Sequence, residues 1–201
     1  MKKSIKILAA LVASATLVLQ AAPVFAGDTT NLPVDKQTKA GLYMTAVEAY
    51  EQVQKNGART LFVDVRTKSE VEFLGMPTLV DANVPYMRNP DFPVWDEKKH
   101  NFKLEPNSDF ASEIAARMAE KGLKKNDTVV LMCRSGDRSA RAADLMLSLG
   151  YTKVYSVTEG FEGDMIKEGP NAGKRILNGW KNATLPWTYK LDKHKMYKVE
   201  G

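Results

Sequence analysis

The chain has 201 residues, 44% of them hydrophobic and 26% charged, and carries a formal net charge of +5. Those values describe one globular domain of ordinary size that can bury a core, and they exclude a disordered or fibrous chain. A single cysteine excludes an intrachain disulfide, and with only His100 and His194 beside it no metal-ligand spacing exists.

The opening residues, MKKSIKILAALVASATLVLQAAPVFA, have the three regions of a secretory signal. Lys2, Lys3 and Lys6 precede the apolar run Ile7 to Leu19, and Val24-Phe25-Ala26 precedes Gly27. The run is shorter than the about 20 residues that a spanning helix needs, so no membrane span is expected after cleavage. The reading is an exported protein with a mature start at Gly27, in the periplasm of a Gram-negative host. Loss of residues 1–26 removes three lysines and no acid, which leaves little basic excess for a nucleic-acid surface.

Residues 27–42 form a polar lead-in. Thr45-Ala46-Val47-Glu48 has the spacing of a capping box and predicts a helix that ends near Asn56-Gly57. Thr60 to Val65 is a short run of β-formers, which reads as a buried parallel strand. A second box, Thr67 to Glu70, predicts a short helix that stops at Gly75, and Leu79 to Val84 reads as another strand.

Between Pro85 and Pro106 four prolines and several aromatics argue against regular structure, and a loop of that length is usually functional or mobile. Helical spacing returns from Asp109 to Lys121. Thr128 to Met132 is the clearest strand, a helix then runs to Gly150, and Val154 to Val157 gives one more strand. Strands alternating with helices predict an α/β domain with a mostly parallel central sheet flanked by helices, whose functional loops lie at the carboxyl ends of the strands.

Cys133 stands at such an end, between an apolar strand and a helix that begins near Arg138. Backbone N–H groups of residues 134–138 are expected to curl around the sulfur, where orphan amides and the helix end favour an anion. Such a placement favours the nucleophilic thiolate form of a cysteine. The anion is either the thiolate or a charged group of a substrate.

Cys133-Arg134-Ser135-Gly136-Asp137-Arg138-Ser139 resembles the active-site loop of the rhodanese sulfurtransferases, whose pattern is Cys-Arg-x-Gly-x-Arg-Ser or Thr. Three further segments are similar to that family: Asp64-Val65-Arg66-Thr67 with Glu70, Ala82-Asn83-Val84-Pro85, and Val157-Thr158-Glu159-Gly160-Phe161. The resemblance spans residues 43–187, a rhodanese-like domain, with 188–201 as a tail. Asn178 to Pro186 resembles the family's tryptophan-bearing ending, but Met165 to Leu177 intervenes and reads as an inserted surface element, as does 85–106.

The resemblance implies that Cys133 is the nucleophile and carries a persulfide, and that no cofactor is needed. Ser135, Gly136 and Asp137 complete the substrate-binding loop, with Asp137 as the helix cap. Arg134 is expected to hold an anionic donor, and Arg138, also of the substrate-binding loop, either takes part in catalysis or braces the loop from the start of the helix, with Asp64 as the candidate partner. Asp64, Arg66 and Ser139 support the loop. The expected partners are a small anionic sulfur donor, a thiophilic acceptor and a possible periplasmic sulfur-accepting protein. A persulfide carrier that serves such a protein, and a cysteine phosphatase or arsenate reductase, are the alternatives. Phe92, Trp95, Trp180 and Trp187 either line a mouth over Cys133 or cover the core, and core packing is the favoured reading.

Overall fold

The computed structural model describes residues 31–200, so the signal read at residues 1–26 lies outside the described residues. After a 3-10 turn at Val34–Lys36, the chain forms β1 (Tyr43–Met44), α1 (Ala46–Asn56), β2 (Thr60–Asp64) and α2 (Lys68–Leu74). Both predicted capping boxes are made: the side chains of Thr45 and Thr67 accept from the amides of Glu48 and Glu70, whose carboxylates accept in return. Each box satisfies two backbone donors that the first helical turn leaves without an internal partner.

The short strands β3 (Met76–Pro77) and β4 (Ala82–Asn83) follow, then β5 (Met87–Arg88), β6 (Trp95–Asp96), β7 (Asn101–Phe102) and β8 (Glu105–Pro106). The second half comprises α3 (Phe110–Glu120), β9 (Thr128–Met132), α4 (Asp137–Ser148), β10 (Lys153–Val157) and β11 (Trp187–Thr188). Five strands make the central sheet in the order β1-β10-β9-β2-β4, every pair parallel. Their carboxyl ends therefore share one edge, which brings together the segments after β2, β9 and β10.

The period-2 alternation of the strands divides the core between the two faces of the sheet. Leu61, Val63, Val129, Leu131 and Cys133 meet Phe110, Ile114 and Met146 from α3 and α4. Phe62, Val130 and Met132 meet Ala46, Ala49, Val71 and Trp180 on the opposite face. Covering on both faces explains why all five residues of β2 are buried.

Two expectations are corrected. The strand expected over Leu79 to Val84 is only Ala82–Asn83, because just these two residues find register with Val63 and Asp64. The segment 85–106 is not irregular: β5 pairs with β8 and β6 with β7, both antiparallel, to form a projecting hairpin arm. Pro90 and Pro93 fall between its two rungs, and Pro106 stands opposite Met87 while the Asn107 amide bonds to the Tyr86 carbonyl at 3.1 Å. The prolines thus occupy places where the ladder needs no N–H.

Candidate active site

Cys133 follows the last residue of β9 and is fully buried. The chain must turn at once from strand to helix, and Gly136 makes the turn with φ 102°, a left-handed conformation suited to glycine. Its amide donates to Sγ at 3.1 Å. Of the amides at 134–138 expected around the sulfur, this is the one that bonds to it. Ser139 adds a hydroxyl 3.5 Å from Sγ, held by the Gly136 carbonyl at 3.1 Å and by Ser156 Oγ at 2.8 Å.

Asp137 is not the helix cap. Gly136 occupies that position, and Asp137 is the first residue of α4. Its Oδ1 lies 3.9 Å from Sγ, and its Oδ2 accepts from Arg141 at 3.1 Å. Arg134 is exposed, Ser135 is half-buried, and neither side chain has a hydrogen-bond or ion-pair partner among the described residues.

Arg138 is braced by Glu70 rather than Asp64. The guanidinium donates from Nη1 and Nη2 to the two Glu70 oxygens at 2.7 and 2.6 Å, a bidentate pair that ties α4 to α2. Burial opposes the Glu70 charge, but the Arg138 hydrogen bonds and charge outweigh it and bring the carboxyl down to about 2. Burial likewise opposes the Arg138 charge, and the same carboxylate holds its pKa above the ordinary arginine value, with Cys133 and Asp137 adding to the effect.

Asp64 is unavailable to Arg138 because Arg66, two residues on, takes it. Arg66 Nε bonds to both Asp64 oxygens at 3.0 and 3.1 Å, and Nη2 reaches Oδ2 at 2.6 Å and the Gly75 carbonyl at 2.8 Å. The guanidinium lies 3.9 Å from the centroid of the Phe161 ring. Asn83 closes the group by donating to the carbonyls of Asp64 and Arg66. Asp64 and Arg66 thus form a scaffold under the turn after β10.

That turn is seated on the cysteine loop. The Phe161 and Glu162 amides donate to the carbonyls of Cys133 and Arg134 at 2.8 and 3.0 Å. A Cβ on Gly160 would lie 2.5 Å from the Cys133 oxygen, and one on Gly136 would lie 2.1 Å from the Thr158 oxygen. Sequence reasoning missed one member of this assembly, Lys36 of the lead-in. It is buried, and its Nζ donates to the Thr158 carbonyl at 3.0 Å and to Asp164 Oδ1 at 2.5 Å. Burial opposes the Asp164 charge, yet hydrogen bonds from Lys36 and Asn178 hold that carboxyl below its ordinary range. No spacing or motif in Leu32-Pro33-Val34-Asp35-Lys36 announces the role.

The four aromatics divide. Trp180 is fully buried beside Phe62, with ring centroids 5.3 Å apart, and Trp187 packs against the same core. Trp95 and Phe92 do neither of the two expected things: they stand on the arm, 44% and 87% exposed.

A parallel α/β domain that ends a central strand in a buried cysteine, cradled by a glycine amide at a helix start, defines a protein built around one thiol. The rhodanese-like domain family model matches residues 45–165. The chain belongs to the rhodanese-like domain family. The uncharacterized protein RP600 of Rickettsia prowazekii is 29% identical over 144 residues, which are 72% of this chain and 94% of that protein. Thiosulfate sulfurtransferase GlpE of Tolumonas auensis is 44% identical over 41 residues, 20% of this chain and 39% of that enzyme. The crystal structure of Rv0390 from M. tuberculosis is similar with a TM-score of 0.55 at 29% identity, covering 73% of this chain and 96% of that one. At the level of the family, these relationships support a sulfurtransferase-type role.

Proposed function

We propose that this protein is an exported sulfurtransferase that moves sulfane sulfur from thiosulfate or polysulfide through a Cys133 persulfide to a thiophilic acceptor. The observation that carries the reading is the Gly136 amide aimed at Sγ from 3.1 Å, in a loop that also presents the exposed Arg134, unpaired among the described residues. The Cys133 thiolate attacks the outer sulfur of the donor. A new S–S bond forms, the donor's own S–S bond breaks, and with thiosulfate the electron pair leaves on sulfite. The acceptor then attacks the outer sulfur of the persulfide and returns Cys133 as thiolate. Charge remains on sulfur throughout, and a preorganised donor stabilises it without reorganisation. Arg134 binds the anionic end of the donor, for which a planar guanidinium is suited.

Export rests on the signal pattern of residues 1–26 and places the work in the periplasm of a Gram-negative host. Phosphoryl or arsenate chemistry is disfavoured, since only four residues separate Cys133 from Arg138 and, among the described residues, a single amide meets the sulfur. Intact-mass measurement after incubation with thiosulfate should show one added sulfur, on the peptide that contains Cys133. Cys133→Ser should show none, because oxygen cannot form the persulfide. Transfer to cyanide that survives in this variant would remove the proposal.

A further inference from the structure

The hairpin arm leans over the starts of α2 and α4 and encloses with them a cleft of about 560 Å³ that reaches Arg134 and Asp137 of the cysteine loop. Such a volume suits an organic ligand. A five-atom anion such as thiosulfate would leave most of it empty.

The lining is specific in kind. Met87, Phe102 and Leu104 form an apolar wall on the arm. Two of the acids in the lining are engaged by guanidinium groups, Glu70 by Arg138 and Asp137 by Arg141. The third, Asp96, accepts from the amides of Lys98 and Lys99 at 3.0 and 3.2 Å and so caps the turn of the arm. Lys99, Lys103 and Arg134 are left with no carboxylate in ion-pair reach among the described residues. The lining holds five cations against three carboxylates, and two excess positive charges around an apolar wall, beside a nucleophile, fit an organic anion with more than one negative group.

We infer that the cleft holds the organic part of a small thiol persulfide bearing at least two carboxylates, which delivers its outer sulfur to Cys133. The inference rests on the reading of Cys133 as sulfur carrier and names the class of donor. The thiolate of Cys133 attacks the outer sulfur of R–S–SH. The Cys133–S bond forms, the R–S–SH sulfur–sulfur bond breaks, and R–S⁻ leaves with the electron pair while the proton stays on the transferred sulfur. No further oxidant or reductant is required. The carboxylates of R stay against Lys99 and Lys103, and its carbon chain against Met87 and Phe102.

The test compares three donors on the wild type and on Lys99→Glu/Lys103→Glu: glutathione persulfide with its two carboxylates, cysteamine persulfide with none, and thiosulfate. Both lysines are exposed, so the substitutions leave the core untouched. The wild type should load Cys133 from glutathione persulfide at least tenfold more efficiently than from cysteamine persulfide. The double variant should lose about tenfold with glutathione persulfide, through KM, as expected for exposed ion pairs turned into repulsions. Its use of cysteamine persulfide and thiosulfate should change less than about twofold. Equal losses with all three donors, or none with glutathione persulfide, would overturn the inference while the carrier reading stands. A wild type that takes sulfur from no donor would overturn both.

Discussion

Gly136 meets two demands at one α-carbon. Its amide must turn inward to Sγ, and its missing side chain must leave room for the Thr158 carbonyl, which would lie 2.1 Å from a Cβ. Gly136→Ala is therefore expected to cost about 1–3 kcal/mol of stability, from the strained φ and the clash together, and to lose most sulfur transfer. Denaturant melts and persulfide loading measure the two effects. Lys36 acts one step further out, through the Thr158 carbonyl that presses on Gly136, and is a positioning residue. Lys36→Met keeps the length of the stem and removes the donor, leaving Asp164 without its cation. The expected outcome is a kcat reduced by about tenfold at a nearly unchanged KM for thiosulfate, with partial rescue in Lys36→Arg. A fall in stability with kcat intact would show that Lys36 only anchors the lead-in.

At the scale of the elements, α2 and α4 are joined by the buried pair of Glu70 and Arg138. The Glu70 carboxyl stands at about 2 in the folded protein against its usual 4.5. A depressed carboxylate stabilises the fold fully above the higher value and loses that stabilisation as pH falls toward the lower one. Wild-type stability should therefore drop between pH 4.5 and pH 2 by more than that of Glu70→Gln, which carries no carboxylate to protonate. At neutral pH, Glu70→Ala leaves the Arg138 charge buried and unpaired, and a loss of roughly 3–5 kcal/mol is expected. Urea unfolding of the three proteins across this pH range is the check, and parallel curves for wild type and Glu70→Gln would contradict the assignment.

Across the whole molecule, the segment that follows the cysteine half returns to close the first half. The Trp180 amide bonds to the Gly160 carbonyl, its indole N–H donates to Pro186, and its ring packs on Phe62 of β2. β11 then pairs with β3, and Gly75 admits the Trp187 ring where a Cβ would lie 2.6 Å from it. Trp180→Ala should cost about 3–5 kcal/mol by opening a cavity at this junction. The loss should extend to sulfur transfer, because Trp180 hangs from the same glycine turn that seats the cysteine loop. Thermal unfolding followed together with persulfide loading tests this, and a destabilised protein with undiminished loading well below its melting temperature would separate the two.

The sequence alone determined the features that depend on neighbours within a few residues. Capping boxes at Thr45 and Thr67, the runs that became β2, β9 and β10, and the placement of Cys133 between strand and helix were all legible. Helix caps and apolar periodicity are local interactions, written in consecutive residues. Tertiary structure decided the rest. Arg138 had several carboxylates to choose from, and the packing of α2 against α4 selected Glu70, 68 positions away, while Arg66 captured Asp64. Lys36 meets Thr158 across 122 positions. The prolines of 85–106 suggested a loop, whereas their exact spacing relative to a ladder that pairs distant halves permits a hairpin. An ion pair or a strand pairing is chosen by which groups the folded chain brings within a few ångströms, and residue type alone does not contain that distance.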